Sequence, residues 1–308
     1  PENIESIEVM SSATSMARYG ARGANGIISI ISKNGSAYDG THISLSATGG
    51  VSMVPELRSV IAGNAERQRL RHLYDRAIVL PGDLDGITLP MALTDSLNPF
   101  YGYQTDWQEQ KYKPGSVQNY NLKIGNSGTF GHYLLNLGYY DEQTSKKDVG
   151  FKRMNLDLNT RYNVTNEFML DVLLQVSRSN RDNATSNLFE QSFYAANDDL
   201  SVFPPTIFED DAELRDANVN NYLLSSISLD YRFSDHFRIN SLIGIDYETG
   251  RRDYFVPSTL NDGRIYSLAS ASTRQRLINE NTLDYQQLIN GKKLGITLGQ
   301  SIIMDDIL

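Results

Sequence analysis

The sequence predicts a mainly β protein whose strands form an antiparallel transmembrane β-barrel, preceded by a small α+β unit. Three observations carry this. Long runs alternate apolar and polar side chains, the connections between them are short and long by turns, and aromatic residues gather at the strand ends beside the short connections.

The first 35 residues read as the α+β unit. Ile4, Ile7 and Val9 suggest a short strand, Ser11 to Arg18 a helical turn or two of small residues, and Tyr19 to Gly26 a glycine-rich turn. A β-branched run from Ile27 to Ile31 follows and is closed by Lys33-Asn34-Gly35. The glycines at 20, 23 and 26 would suit a phosphate cradle only with a strand before them, a helix after them and usually a lysine. A strand follows instead, so they read as turn glycines that can take positive φ.

From Thr41 onward the chain falls into nine period-two runs. The first sets Ile43, Leu45, Ala47, Gly49, Val51 and Met53 against His42, Ser44, Ser46, Thr48 and Ser52. The second puts Tyr120, Leu122 and Ile124 opposite Asn119, Asn121 and Lys123, and the third has Tyr133, Leu135, Leu137 and Tyr139 on its apolar face. In the fourth, Met154, Leu156, Leu158, Thr160 and Tyr162 alternate with Arg153, Asn155, Asp157, Asn159 and Arg161. The remaining apolar rows are Phe168 to Val176, Leu223 to Phe233, Phe237 to Tyr247, Leu277 to Ile289 and Leu294 to Leu298.

Alternation alone does not choose the solvent, since sandwiches and soluble barrels show it too. The connections discriminate. Short turns are expected at Asn126-Ser127-Gly128, Asn163 to Glu167, Ser234-Asp235-His236 and Gly291-Lys292. Long connections cover 55–117, 141–150, 180–221 and 249–276. Outer-membrane barrels have short turns on the periplasmic side and long loops outside, and a soluble barrel has no cause to sort them so strictly. A barrel strand needs only about 9 to 11 residues and one apolar face to cross, so the lack of any long apolar run is no objection.

Phe130, Tyr162, Phe168, Tyr231, Phe233 and Phe237 sit by the short turns, and Tyr139, Tyr140, Tyr222 and Tyr247 near the opposite ends, as two interfacial girdles would require. Arg153, Asp157, Arg161, Asp171, Gln175, Asp230, Arg232, Arg238 and Asp246 would then face inward. A lumen so charged belongs to a wide barrel, because a narrow one fills its interior with side chains.

Other chemistries find little support. A net charge of −9 argues against a nucleic-acid surface, and the absence of cysteine excludes disulfides and thiolate metal sites. The pairs Asp198/Asp199 and Asp210/Asp211 fall in a long connection, where adjacent carboxylates lack the rigid separation that acid-base catalysis needs. His42, His72, His132 and His236 have no ligand spacing. No catalytic residue, metal site or cofactor is assigned, and the protein is read as not an enzyme.

Ile4 to Val9 together with Tyr19-Gly20-Ala21-Arg22-Gly23-Ala24-Asn25-Gly26-Ile27-Ile28 resembles the end of the plug domain in SusC/RagA-like TonB-dependent transporters. Thr105-Asp106-Trp107-Gln108, Gln118 to Leu122 and Tyr133 to Tyr139 resemble that family's first extracellular loop and its second and third strands. Ser11-Ser12, Arg18 and Ile31 to Asn34 depart from the family pattern. The resemblance implies that residues 1–35 are the C-terminal end of a plug. Residues 36–308 would be the first nine or so strands of a 22-stranded barrel, with long extracellular loops 55–117, 180–221 and 249–276.

It further implies import of a glycan or peptide nutrient across the bacterial outer membrane. TonB would act on a segment upstream of Pro1, a SusD-like surface lipoprotein would close the mouth, and lipid would surround the barrel. The alternative function is a non-importing scaffold of the same fold that holds lipoproteins or other partners in a surface assembly. Charge complementarity singles out Arg18, Tyr19 and Arg22 as plug residues that would contact inward carboxylates such as Asp157 or Asp171. Trp107 would pack its loop, anchor at the membrane interface, or present an aromatic face to a sugar or to the lid.

Overall fold

The computed structural model describes residues 4–11, 23–54, 61–78, 89–106, 109, 112–146, 148–183, 200–204, 214–258, 263–289 and 292–307. At the N-terminus β1 (Ile4–Met10) pairs antiparallel with β2 (Ile27–Ser32), from Met10 opposite Ile27 to Ile4 opposite Ser32. Gly26 closes the turn before β2 with φ 86° and donates its N–H to the Gly23 carbonyl at 3.0 Å. A Cβ there would lie 3.0 Å from the Met10 carbonyl oxygen, so glycine is required by both backbone angle and space.

Nine further strands form one sheet in strict sequence order, every neighbour antiparallel. They are β3 (His42–Ser52), β4 (Gly115–Gly128), β5 (Gly131–Gln143), β6 (Val149–Asn163), β7 (Phe168–Asn183), β8 (Arg215–Arg232), β9 (Phe237–Val256), β10 (Tyr266–Ile289) and β11 (Lys292–Ile307). The register places the expected rows side by side: Leu158 is opposite Leu174, Val172 opposite Ile227, and Ile227 opposite Ile243. One face is therefore hydrocarbon and stands bare, with Ile243 63% and Leu298 65% exposed. The other carries the charges. A sheet inverted in this way needs an apolar solvent on its outer side.

The girdle beside the short turns runs ring to ring from β7 to β10. Phe168 meets Tyr231 at 6.0 Å between ring centroids, Tyr231 meets Phe233 at 6.3 Å, Phe233 stacks on Phe237 at 5.4 Å, and Phe237 meets Tyr285 at 4.8 Å. At the other end Tyr120 stacks on Tyr139 at 6.3 Å. Tyr140 and Tyr222 do not join that girdle. Tyr140 follows Tyr139 and so points to the opposite face, where its hydroxyl donates to Glu142 at 2.9 Å. Tyr222 shares the face of Asp230 and Asp216 on the same strand.

Two other expectations shift. The first short turn is Thr129-Phe130 rather than Asn126 to Gly128, since β4 continues until Gly128 pairs with Gly131. Gly131 has φ 128° and lies so close to the Arg161 carbonyl that a Cβ would meet it at 2.0 Å. The strands also run beyond the apolar rows: β9 extends to Val256 and β10 starts at Tyr266, so only 257–265 connects them, and 184–214 connects β7 to β8. Their outer faces there carry Thr249, Arg251 and Asp253. Above the membrane both faces meet water, so pairing continues while apolar alternation stops.

Candidate functional site

The polar face of the sheet is the candidate site, and a short segment after β2 is seated against it. Tyr38 lies over Gly125, where a Cβ would fall 2.6 Å from the ring, and the buried Leu134 borders the same pocket. Gly125 is thus a hole cut in β4 for an aromatic knob. Tyr38 also stacks on His42 at 4.9 Å. Gly35, with φ 77°, is buried so close to β5 that a Cβ would sit 2.4 Å from the Tyr133 carbonyl oxygen. The Asn159 side-chain amide donates to the Lys33 carbonyl at 3.4 Å. These contacts fix the exit of the N-terminal unit on the wall made by β4, β5 and β6.

Next to that seat, Asn136 and Asn155 both donate to one Asp157 oxygen, at 3.0 and 2.9 Å. Asn136 is 2% exposed, and its Oδ1 has no hydrogen-bond partner among the described residues. A buried acceptor left open costs free energy, about 1–3 kcal/mol, so a donor is wanted at this point. Asp171 differs. Its carboxylate is held by Arg161 through both oxygens, at 2.6 and 2.9 Å, and is already neutralised.

The Arg161–Asp171 pair opens a belt that continues through Asp230, which takes Arg238 Nε at 2.7 and 2.8 Å, to Asp284, which accepts from Thr297 at 2.5 Å. Nearer the long connections, Arg252 clamps Asp216 at 2.8 and 2.9 Å, and Arg276 donates to Asp305 at 3.0 and 2.6 Å. Asp157 and Asp171 therefore share a face without sharing a cluster.

Beyond the strands, parts of two long connections fold together. The helix α1 (Asn64–Ile78), a short helix α2 (Met91–Thr94) and a single 3-10 turn Pro99–Tyr101 pack with residues 200–204. Glu66 accepts from the Ser201 N–H and hydroxyl, and the Ser201 hydroxyl oxygen accepts from Gly63 N–H at 2.6 Å. The backbone joins in, with Thr105 N–H to Ser201 oxygen at 2.8 Å and Tyr103 N–H to Val202 oxygen at 3.2 Å. The Thr105 hydroxyl donates to the Phe203 carbonyl at 2.6 Å. Arg67, 5% exposed, donates to the carbonyls of Ala92 and Tyr101, and its neighbours Leu93 and Val202 are 2% and 1% exposed.

No protein-family model matches the chain. Curated relatives do. The chain is 24% identical over 309 residues to the TonB-dependent receptor P26 of Formosa agariphila, covering 93% of this chain and 30% of that protein. It is 24% identical over 178 residues to the TonB-dependent receptor SusC of Bacteroides thetaiotaomicron, covering 55% of this chain and 16% of that one. The fold matches the RagAB peptide importer in its closed-closed state with a TM-score of 0.71 at 16% identity, over 100% of this chain and 39% of that one. The chain is SusC/RagA-like. The siderophore receptor PirA of Acinetobacter baumannii shares the fold at a TM-score of 0.51 and 15% identity, over 99% of this chain and 35% of that one.

Like the walls of these TonB-dependent receptors, the sheet is β-barrel wall of the bacterial outer membrane. Of the residues singled out from sequence, Asp157 and Asp171 lie on its inner face as expected. Arg18, Tyr19, Arg22 and Trp107 lie outside the described residues, as do Asp198, Asp199, Asp210 and Asp211. The helical turns expected from Ser11 to Arg18 lie almost wholly outside them too. Sequence reasoning missed the Tyr38–Gly125 seat, the Asn136–Asn155–Asp157 cluster and the Arg67 module. A glycine inside the second alternating run was the one visible hint of the first.

Proposed function

We propose that this SusC/RagA-like chain serves energised import of a glycan or peptide nutrient across the outer membrane. The whole protein would be a plugged barrel, worked by TonB on a segment upstream of Pro1 and closed outside by a SusD-like surface lipoprotein. The observation that carries the reading is the seat: a wall apolar outside and charged inside, with the segment after β2 docked on the inner face through Tyr38, Gly35 and Lys33. The relative named a peptide importer shares this fold.

Residues 1–35 are proposed as the plug end, and Arg18 or Arg22 as the donor for Asp157 and the open Asn136 oxygen, since Arg161 already neutralises Asp171. Trp107 follows the doubly anchored Thr105 by two residues and is proposed to face substrate or lid. The test is uptake by cells carrying the full-length protein, with and without TonB. TonB-dependent uptake of an oligosaccharide or peptide, together with a copurifying surface lipoprotein, is expected. Stable assembly with partners and no uptake under either condition would establish the scaffold instead.

A further inference from the structure

Arg161, Arg238, Arg252 and Arg276 on the inner face each hold an aspartate, namely Asp171, Asp230, Asp216 and Asp305 in turn. Arg153 on β6 and Arg181 on β7 share that face but are held by aromatic rings instead. Register sets Arg153 opposite Tyr140 of β5, and Phe151 opposite Arg181. The Arg153 guanidinium lies 6.0 Å from the centre of the Tyr140 ring, and the Arg181 guanidinium 5.5 Å from that of Phe151. The two rings meet at 6.0 Å, which joins the four side chains into one chain of contacts.

A ring contact holds a guanidinium by its flat face and leaves the edge, with its five N–H donors, open. Both arginines are exposed, and among the described residues neither donates to a carboxylate. The carboxylates that register places diagonal to them are already engaged. Glu142, diagonal to Arg153, accepts the Tyr140 hydroxyl at 2.9 Å, and Asp216, diagonal to Arg181, is clamped by Arg252. Arg153 and Arg181 are themselves diagonal neighbours on adjacent strands, which puts their backbones roughly 7–8 Å apart. Two fixed guanidiniums at that spacing can take one carboxylate between them or two from a single chain, and a guanidinium edge matches both oxygens of a carboxylate.

We propose that Arg153 and Arg181 bind the carboxylate groups of an acidic nutrient, with Tyr140 and Phe151 as the supports that orient them. The site stands above the level of Tyr139, towards the strand ends that carry the long connections. The inference rests on the import reading, which makes that end the outer mouth, and it narrows the nutrient to one that bears negative charge. In a chain of net charge −9 the overall field does not attract such a ligand, so the local pair of arginines has to supply the attraction.

The test is equilibrium binding to the full-length protein in detergent. Two acidic probes, an oligogalacturonate and a glutamate-rich peptide, are compared with neutral counterparts, the methyl-esterified oligosaccharide and the same peptide with glutamine for glutamate. Wild type is expected to bind one acidic probe more tightly than its counterpart by about tenfold or more, as charge-assisted hydrogen bonds allow, and the probe preferred identifies the backbone. Arg153→Gln combined with Arg181→Gln should remove that preference and leave neutral binding and the heat-modifiable folded band unchanged. Phe151→Leu keeps both charges but takes away one support, and should give part of the loss. A wild type that prefers neither acidic probe overturns the proposal, whether or not the double variant folds, and so does a folded double variant that keeps the preference. TonB-dependent uptake confined to neutral nutrients would overturn it while leaving import standing. Acidic binding that depends on the two arginines, without uptake under either TonB condition, would keep the site and end the import reading.

Discussion

The nine-stranded wall and the module outside it follow opposite packing rules within one chain. In the module, Leu93 and Val202 are buried and Arg67 is enclosed by carbonyl acceptors, as in any small water-soluble core. In the wall the large apolar side chains stand outward, while Asp171 and Asp230 are paired with arginines inside. The difference shows that burial is defined by the solvent. Where lipid is the solvent, the backbone ladder and lumen ion pairs hold the structure; where water is, a core of a few residues does.

The sharpest way to break the comparison is to place one charge on each face of one strand. Val172→Arg points into lipid at mid-depth and is expected to cost roughly 2–4 kcal/mol, abolishing most of the heat-modifiable folded band in outer membranes. Leu173→Arg, one residue on, faces the lumen and should assemble as wild type does. Equal damage from both would contradict the assignment of faces.

In the module the expected effect is local. Arg67→Ala leaves a buried carbonyl, that of Ala92, and a half-buried one, that of Tyr101, without their donor, a loss of about 2–3 kcal/mol. Protease added to whole cells should then cut within 55–117 while the barrel remains heat-modifiable. Unchanged resistance would mean that Arg67 does not hold the module. Smaller again, Gly125→Val fills the hole under Tyr38 at about 1–3 kcal/mol. It should loosen the seat and raise sensitivity to large antibiotics without lowering the amount of folded protein.

The smallest effect is a pH dependence where β5 and β6 rise above the Tyr139 level. Burial pushes the Asp141 carboxyl up, but the bonds it accepts from Lys152, Tyr139 and Gln143 outweigh this and hold it below the usual carboxylate range. A carboxyl depressed by folding stabilises above its unfolded pKa, and that contribution is lost as pH falls through the folded value. Asp141→Asn should therefore make the β5–β6 connection slightly easier to cleave at neutral pH, with no difference from wild type at strongly acidic pH.

The wall was legible because period two and the short-long order of connections report strand faces and sides directly. Met154 to Tyr162 against Arg153 to Arg161 left little choice. What stayed hidden depends on contacts distant in sequence. Nothing local in Glu66 or Arg67 points to Ser201 or Ala92, and the Tyr38 knob has meaning only beside Gly125. Tyr140 and Tyr222 were misplaced because proximity to a strand end was weighed above parity, although Tyr139 and Tyr140 are adjacent and cannot share a face.

The most direct test of the account is sidedness in intact cells. Single cysteines at Thr129, Asp235 and Ser145 of the full-length protein would be exposed to a maleimide that cannot cross the outer membrane. Labelling of Ser145→Cys in intact cells, with Thr129→Cys and Asp235→Cys reacting only after the outer membrane is opened, is the predicted result. Labelling of either short turn in intact cells, with Ser145→Cys protected, would contradict it.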